Sequence, residues 1–378
     1  MPLRRPILLA LAGILVSARL PARPHAEDAA DVRDASARVE RLAQGVYAIV
    51  HDDAILQWPS GATGWPHGNT GVIVGDDGVL VVDSTFLPSR ATVDIALVRK
   101  ITSKPVRTLV NTHWHMDHIM GNAAYKDAFP GLVIVGPRAS RDFIAYWQER
   151  WPRFELAADS SSRAELKEQE GWLAKGQDGE GRPIGPESRK LLERAVEQAR
   201  NELAELPSAK VAAPDRLFDE ELRLDLGGRS VEIRNRGRAN SPADVTVYLP
   251  RERILFAGDV LVHPVPYAMG AYPVAWLEVL RALEALPVSA IVPGHGPVFR
   301  DNEYLRQVRS LLQTTLSRVK ALALEGRTLE QIKKTVDLQG LRPRFVIGDD
   351  PTAVFYWDYS IKDALVERAF RCLGGTQC

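Results

Sequence analysis

The sequence predicts an α/β layered sandwich carrying a helical insertion, and three observations carry that prediction. Apolar strand-like runs alternate with helix-like segments in two similar halves, which is the pattern of layered α/β folds. A charged, Ala/Leu/Glu-rich block without strand character separates the halves, from about Pro137 to Leu206. Beyond residue 300, Leu305, Val308, Leu311, Leu312, Leu316, Val319 and Leu322 recur at three-and-four spacing, the mark of an amphipathic helix.

Taken in order, Arg4 and Arg5 precede an apolar run, Ile7 to Ala18, then small residues and prolines through Ala26. That arrangement predicts a secretory signal over 1–26, and therefore a periplasmic or secreted protein; cleavage near Ala18 or Ala26 is left open. The run is shorter than the about 20 apolar residues a membrane span needs, so no stable span is expected after processing. Residues 27–38 read as a flexible polar lead-in, and 39–300 as the main domain. "GVYAIV" (Gly45 to Val50), "TGVIV" (Thr70 to Val74) and "GVLVVD" (Gly78 to Asp83) read as strands. The last two are joined by Gly75-Asp76-Asp77, a hairpin signal. A helix fits Ser89 to Ile101, and "VRTLVN" (Val106 to Asn111) is a buried strand. Gly121 to Ala128 is helix-like and "GLVIVG" (Gly131 to Gly136) a further strand. The insertion, 137–206, reads as two or three helices broken over Gly176 to Gly185. Trp147, Trp151, Phe154 and Trp172 are expected to pack it down, with some left to line a cleft.

Strands resume at Leu217 to Gly237, with a hairpin at Gly227-Gly228, followed by Asp244 to Pro250 and Arg253 to Asp259. A helix from Val274 to Leu286 leads into "SAIVPGHG" (Ser289 to Gly296). Residues 301–378 form a helical extension expected to pack on the domain.

Composition narrows the function. The chain has 378 residues, 45% of them hydrophobic, which is ordinary for a globular protein with a real core. Lys plus Arg and Asp plus Glu number 48 each, so no global field gathers phosphate backbones, and no nucleic-acid partner is expected. Its two cysteines, Cys372 and Cys378, stand at the tail and are able to close a small disulfide; neither lies near the histidine cluster, so no thiolate ligand is expected.

"NTHWHMDHIMGN" (Asn111 to Asn122) is the chemical centre. His113, His115, Asp117 and His118 fall immediately after an apolar strand. On extended backbone residues two apart point the same way, so His113 and His115 are placed to converge on one ion, with Asp117 and His118 facing a neighbouring position. Imidazole nitrogen and carboxylate oxygen are zinc's usual ligands apart from thiolate. Asp259 closes "LFAGD" and His295 sits in "PGHG", each at the carboxyl end of an apolar strand. Ligands delivered from several strand ends to one sheet edge are how α/β proteins assemble sites.

"HxHxDH" after a strand, then "AGD" and "PGHG" in that chain order, resembles the metallo-β-lactamase superfamily over roughly Val39 to Arg300. The resemblance implies a four-layer αββα sandwich with one or two zinc ions at the sheet edge. It implies His113 and His115 on one metal, Asp117, His118 and His295 on the other, Asp259 bridging, and Asp83 beneath the metal loop. One position departs: "GRANSPAD" (Gly237 to Asp244) places Asn240 where the family keeps a third histidine. Asn offers only a neutral carbonyl oxygen, a weaker zinc ligand, so a mononuclear second site is one expectation. His67 and His263 are expected near the pocket as substrate or supporting residues.

The resemblance also implies the chemistry: a zinc-activated water attacks the carbonyl of a small amide, ester or lactone, a β-lactam among the candidates, and Asp117 orients the water or moves a proton. A glyoxalase II-like thioesterase, a mononuclear iron persulfide-type oxygenase and a metal-stabilised binding protein are the alternatives. Among amides, esters, thioesters and lactones the pocket, not the metal chemistry, chooses, whereas iron with oxygen use would mark the oxygenase.

Overall fold

Among the described residues, two sheets form, and the chain completes one before starting the other. The first runs in sequence order: β1 (Arg33–Asp34), β2 (Ala37–Ala43), β3 (Val46–Val50), β4 (Thr70–Val74), β5 (Val79–Val82), β6 (Val106–Val110), β7 (Val133–Pro137) and β8 (Arg216–Phe218). The second holds β9 (Glu221–Asp225), β10 (Ser230–Asn235), β11 (Val245–Leu249), β12 (Ile254–Val262) and β13 (Ala290–His295). Neighbours from β1 to β5 are antiparallel, and those from β5 to β8 are parallel. In the second sheet only β12 and β13 run parallel. This computed structural model describes residues 33–34, 37–51, 67–179, 181–348, 350–375 and 378. The expected signal over 1–26, most of the lead-in, and the loop ahead of His67 lie outside them.

Strand periodicity builds the layers. In β3, Val46, Ala48 and Val50 face the second sheet, while Tyr47 and Ile49 face outward onto helices. β5 divides in the same way, with Leu80 and Val82 inward and Val79 and Val81 outward. Both faces are buried, so these strands read as continuous apolar runs. Helices α1 (Pro88–Ile101), α2 (Met116–Ile119) and α3 (Asn122–Ala128) follow β5 and β6, and α1 covers the outer face of the first sheet. Between β7 and β8 stand α4 (Arg141–Lys175) and α5 (Pro186–Glu205). Trp172 is buried there against Leu192 and Val196. Trp147 packs against Phe86, Met116 and Met120, while the side chains of Trp151 and Phe154 lie outside the described residues.

Over the second sheet lie α6 (Pro273–Glu284) and α7 (Glu303–Leu324), then α8 (Leu329–Thr335), α9 (Pro351–Tyr356), a π-helix (Trp357–Leu365) and α10 (Val366–Cys372). The order helices, sheet, sheet, helices is the αββα sandwich. Cys372 and Cys378 form a disulfide. No helix of the described residues is long and apolar enough to cross a membrane.

Several local readings shift. Ala37 already belongs to β2, because Arg38 pairs with Val50 across the hairpin, so the lead-in ends sooner than residue 38. Pro137 still belongs to β7, paired with Phe218. Asp259 does not end its strand: β12 continues to Val262 through irregular pairing with β13.

Candidate metal centre

Strand β6 ends at Val110, and the chain then turns out of the sheet, so the residues from Asn111 to His115 are not extended strand. The turn is closed by its own ends. Asn111 Nδ2 donates to Asn122 Oδ1 at 3.0 Å, and Asn122 Nδ2 donates back to Asn111 Oδ1 at 2.9 Å. His113 and His115 still meet, ring centroids 4.5 Å apart, but through this closed loop and not through strand alternation. Asp117 and His118 follow on α2.

Four donor atoms converge from three chain segments. His118 Nε2 lies 3.2 Å from His295 Nε2, 3.1 Å from Asp259 Oδ1 and 3.5 Å from Asp117 Oδ2. His295 Nε2 lies 3.0 Å from Asp117 Oδ2 and 3.5 Å from Asp259 Oδ1. A zinc tetrahedron with bonds of about 2.0–2.1 Å has edges of about 3.3–3.4 Å, so these five separations are those of one coordination shell. His113, His115 and Asp259 make a second group, with Asp259 Oδ2 3.5 Å from His113 Nε2 and 3.9 Å from His115 Nδ1. Asp259 thus offers one oxygen to each group. These donor sets, nitrogen and oxygen without sulfur, fit a divalent cation at each.

The surroundings fix which nitrogen faces inward. Asp83 accepts from Thr112 N–H and Thr112 Oγ1–H, both at 2.8 Å, and from His118 Nδ1–H at 2.9 Å. Thr112 has spent its one hydroxyl proton on Asp83, so it accepts from His113 Nδ1–H at 3.0 Å. Both imidazoles turn Nε2 toward the cluster, the arrangement expected of metal-facing histidines. Asp259 is re-aimed by Gly258, whose φ of +52° and close packing on Thr112 suit only glycine.

Burial and charge pull these groups apart. Burial holds the His113 imidazole down at about 4, helped by His118. Burial opposes the charge on His118 too, yet Asp259, Asp117 and Asp83 around it raise its pKa well above the ordinary value. Burial alone would raise Asp117, but His118 and His295 hold it far below the usual carboxylate range.

The remaining sequence candidates, Asn240, His67 and His263, belong to neither of these groups of His and Asp donors. Asn240 is fully buried; its Nδ2 donates to the Tyr267 carbonyl at 2.6 Å, and its Oδ1 has no hydrogen-bond partner among the described residues. His67 is buried outside both donor groups, between His51 and Phe86, with neither ring nitrogen hydrogen-bonded. His263 turns onto Phe299 and Tyr304, centroids 5.8 and 5.2 Å away, and joins neither group. Aromatic neighbours escaped the sequence reading. Trp114 meets His115 edge-on at 4.6 Å and stacks on Phe143 of α4 at 4.8 Å. Tyr267 meets His115 edge-on at 6.1 Å. Only their spacing next to the motif and to Asp259 could have marked them.

Comparison with known proteins gives the family. The family model described as Metallo-beta-lactamase superfamily matches residues 63–295. A linear primary-alkylsulfatase from Pseudomonas sp. (strain ATCC 19151) is 24% identical over 230 residues, 59% of this chain and 40% of that protein. The chain therefore spans well under half the length of that curated relative. Among solved structures, the stereoselective inverting sec-alkylsulfatase Pisa1 from Pseudomonas sp. shares 16% identity at a TM-score of 0.55, covering 89% of this chain and 50% of that one. A metallo-beta-lactamase from Pontibacter korlensis shares 19% identity at a TM-score of 0.49, covering 73% of this chain and 99% of that one.

Proposed function

Because this chain belongs to the metallo-beta-lactamase superfamily, we propose that it is a zinc-dependent hydrolase whose ligands are His113, His115, Asp117, His118, Asp259 and His295. The observation that carries this reading is the set of five donor separations of 3.0–3.5 Å around His118 and His295. Zinc bound there supplies a water acidified toward a pKa of about 7 and a Lewis acid for the substrate oxygen.

The chain's own residues do the rest. Asp83 and Thr112 hold His118 and His113 in the tautomers that face the cluster. Asp117, kept ionised, can accept a hydrogen bond from the attacking water and orient it. Asn240 Oδ1, buried and without a hydrogen-bond partner among the described residues, is the candidate fourth donor of the second group, His113, His115 and Asp259. Trp114, Phe143 and Tyr267 give the entrance apolar walls, which favour a substrate with an organic group beside the scissile bond.

The leading substrate class is a small carbonyl compound: an ester, a lactone or an amide such as a β-lactam. A sulfate ester is the second reading, favoured by the alkylsulfatase among the sequence relatives. Export belongs to the same proposal; it is supported by Arg4, Arg5 and the apolar run after them, and by a disulfide suited to an oxidising compartment. No nucleic-acid partner is proposed, given the even charge balance.

Zinc-loaded and chelator-treated protein assayed on an ester, a lactone, a thioester, a β-lactam and a primary alkyl sulfate tests the reading. Turnover of at least one, abolished by chelation and restored by zinc, is expected. Zinc-loaded protein inert on all five contradicts it.

A further inference from the structure

Between β12 and α6 the chain carries Tyr267 to the rim. Its ring stands edge-on to His115, and burial together with the charges of Tyr359, Asp117 and Asp259 raises its phenol pKa, so the hydroxyl lies within electrostatic reach of both cluster carboxylates. The backbone around it is gripped from two sides. In front, Asn240 Nδ2 donates to the Tyr267 carbonyl. Behind, Ser360 of the π-helix donates its hydroxyl to the Pro266 carbonyl at 2.6 Å and accepts the Ala268 N–H at 2.7 Å. Arg368 of α10 adds a bond to the Met269 carbonyl at 2.6 Å.

Ser360 is fully buried, and its one donor and an acceptor position are spent on the two residues that flank Tyr267. The two bonds cross sequence separations of 92 and 94 residues, so the helical tail reaches back to the site. A π-helix is a costly local geometry that recurs at functional positions, and here it presents Ser360 to the loop and Tyr359 to the neighbourhood of Tyr267.

We infer that Ser360 is a positioning residue, which fixes Tyr267 as the aromatic wall for the substrate's organic group beside His115. This rests on the hydrolase reading and deepens it: the tail after residue 300 sets which substrates fit, without touching them. The wall suits a flat or aryl group, because the His115 ring that Tyr267 meets edge-on is also met edge-on by Trp114, which stacks on Phe143.

The test uses the zinc-loaded full chain with Ser360→Ala, Ser360→Thr, Tyr267→Ala and the double variant Ser360→Ala/Tyr267→Ala. The probes are p-nitrophenyl butyrate hydrolysis, benzylphosphonate binding by calorimetry, zinc content, and amide exchange at Ala268. Ser360→Ala is expected to keep its zinc, to speed Ala268 exchange, and to raise KM and weaken benzylphosphonate roughly tenfold, the change that one buried hydrogen bond is worth. The value of kcat should move less than KM. Ser360→Thr keeps the hydroxyl and should restore most of the loss. Adding Tyr267→Ala to Ser360→Ala should cost little more, since both act through one contact.

Faster Ala268 exchange with unchanged benzylphosphonate binding overturns the inference, as does full additivity in the double variant. If Ser360→Ala does not fold, Tyr267→Ala alone decides, and unweakened benzylphosphonate binding then rejects the wall. Failure of the hydrolase reading looks different. Wild-type zinc protein would itself neither hydrolyse the ester nor bind the phosphonate, which removes the wall role as well, while Ala268 exchange still reports whether Ser360 grips the loop.

Discussion

Asp83 Oδ2 accepts a hydrogen bond from His118 Nδ1 at 2.9 Å, on the edge of the imidazole opposite the donor cluster. The same carboxylate holds Thr112 through both its amide and its hydroxyl, so one buried anion sets the orientation of two histidines. Asp83 adopts a left-handed backbone, φ +61°, to do so. Strain of that kind persists where surrounding structure imposes it, commonly at functional sites.

Replacing Asp83 by Asn should therefore act on metal binding before it acts on the fold. The amide oxygen keeps one bond but lacks the charge that pairs with His118. Zinc affinity is expected to fall by about 10–100-fold, the usual consequence of losing a partner behind a ligating histidine. Competition with a chromogenic chelator measures it; an unchanged affinity contradicts the role given to Asp83.

Metal uptake should be linked to protons in a definite direction. With its pKa raised by Asp259, Asp117 and Asp83 against the opposing effect of burial, His118 carries a proton at neutral pH when no metal is bound. Zinc must displace that proton, so about one proton is released per zinc at this group, and affinity rises with pH. Calorimetry in buffers of different ionisation enthalpy reads the number directly. The same shift stabilises the metal-free protein fully below the ordinary histidine pKa and is lost as pH rises through the raised value. His113 works the other way. Burial depresses it to about 4, so its contribution is complete above about 6.5 and drains away as pH falls toward 4. Metal-free protein should thus melt highest between these limits, and a melting temperature that climbs steadily as pH falls to 4 would contradict the His113 placement.

Gly294 leaves no room for a side chain. A Cβ there would run into Asp259 Oδ1 and meet the Gly258 carbonyl carbon at 2.9 Å. Because Asp259 serves both donor groups, Gly294→Ala should lower zinc content at both together and cost about 1–3 kcal/mol of stability, the range for overpacking. Elemental analysis and thermal melting check the two parts. Loss of only one zinc would argue against a shared Asp259.

Asn240→His should raise occupancy of the second group, where His113, His115 and Asp259 lack a fourth strong donor among the described residues. Elemental analysis before and after dialysis against dilute chelator measures it. Unchanged stoichiometry would mean that the Asn240 side chain does not face the ion.

The pattern of the sequence made the two halves, the hairpins at Gly75–Asp77 and Gly227–Gly228, and the gathering of His113, His115, Asp117, His118, Asp259 and His295 legible. Each of these is local: a period, a turn residue or a ligand at a strand end. What was not legible depends on contacts between distant segments. Asp259 reads as a strand terminus, yet β12 runs on because β13 pairs with Val262 as well. His263 reads as a pocket residue from its distance to Asp259 in sequence; its ring contacts are with Phe299 and Tyr304, which no sequence pattern marks. Tyr267 and Ser360 become a pair only when the tail folds back over the second sheet, and no periodicity announces that. Trp114 is similar, since its partner Phe143 comes from the insertion.

X-ray absorption at the zinc edge on protein of known metal content tests the central claim most directly. Tightly held zinc surrounded only by nitrogen and oxygen at about 2.0–2.1 Å, with imidazole scattering, is the predicted result. Protein that retains no stoichiometric metal after zinc loading, or zinc with a sulfur shell near 2.3 Å, would contradict it.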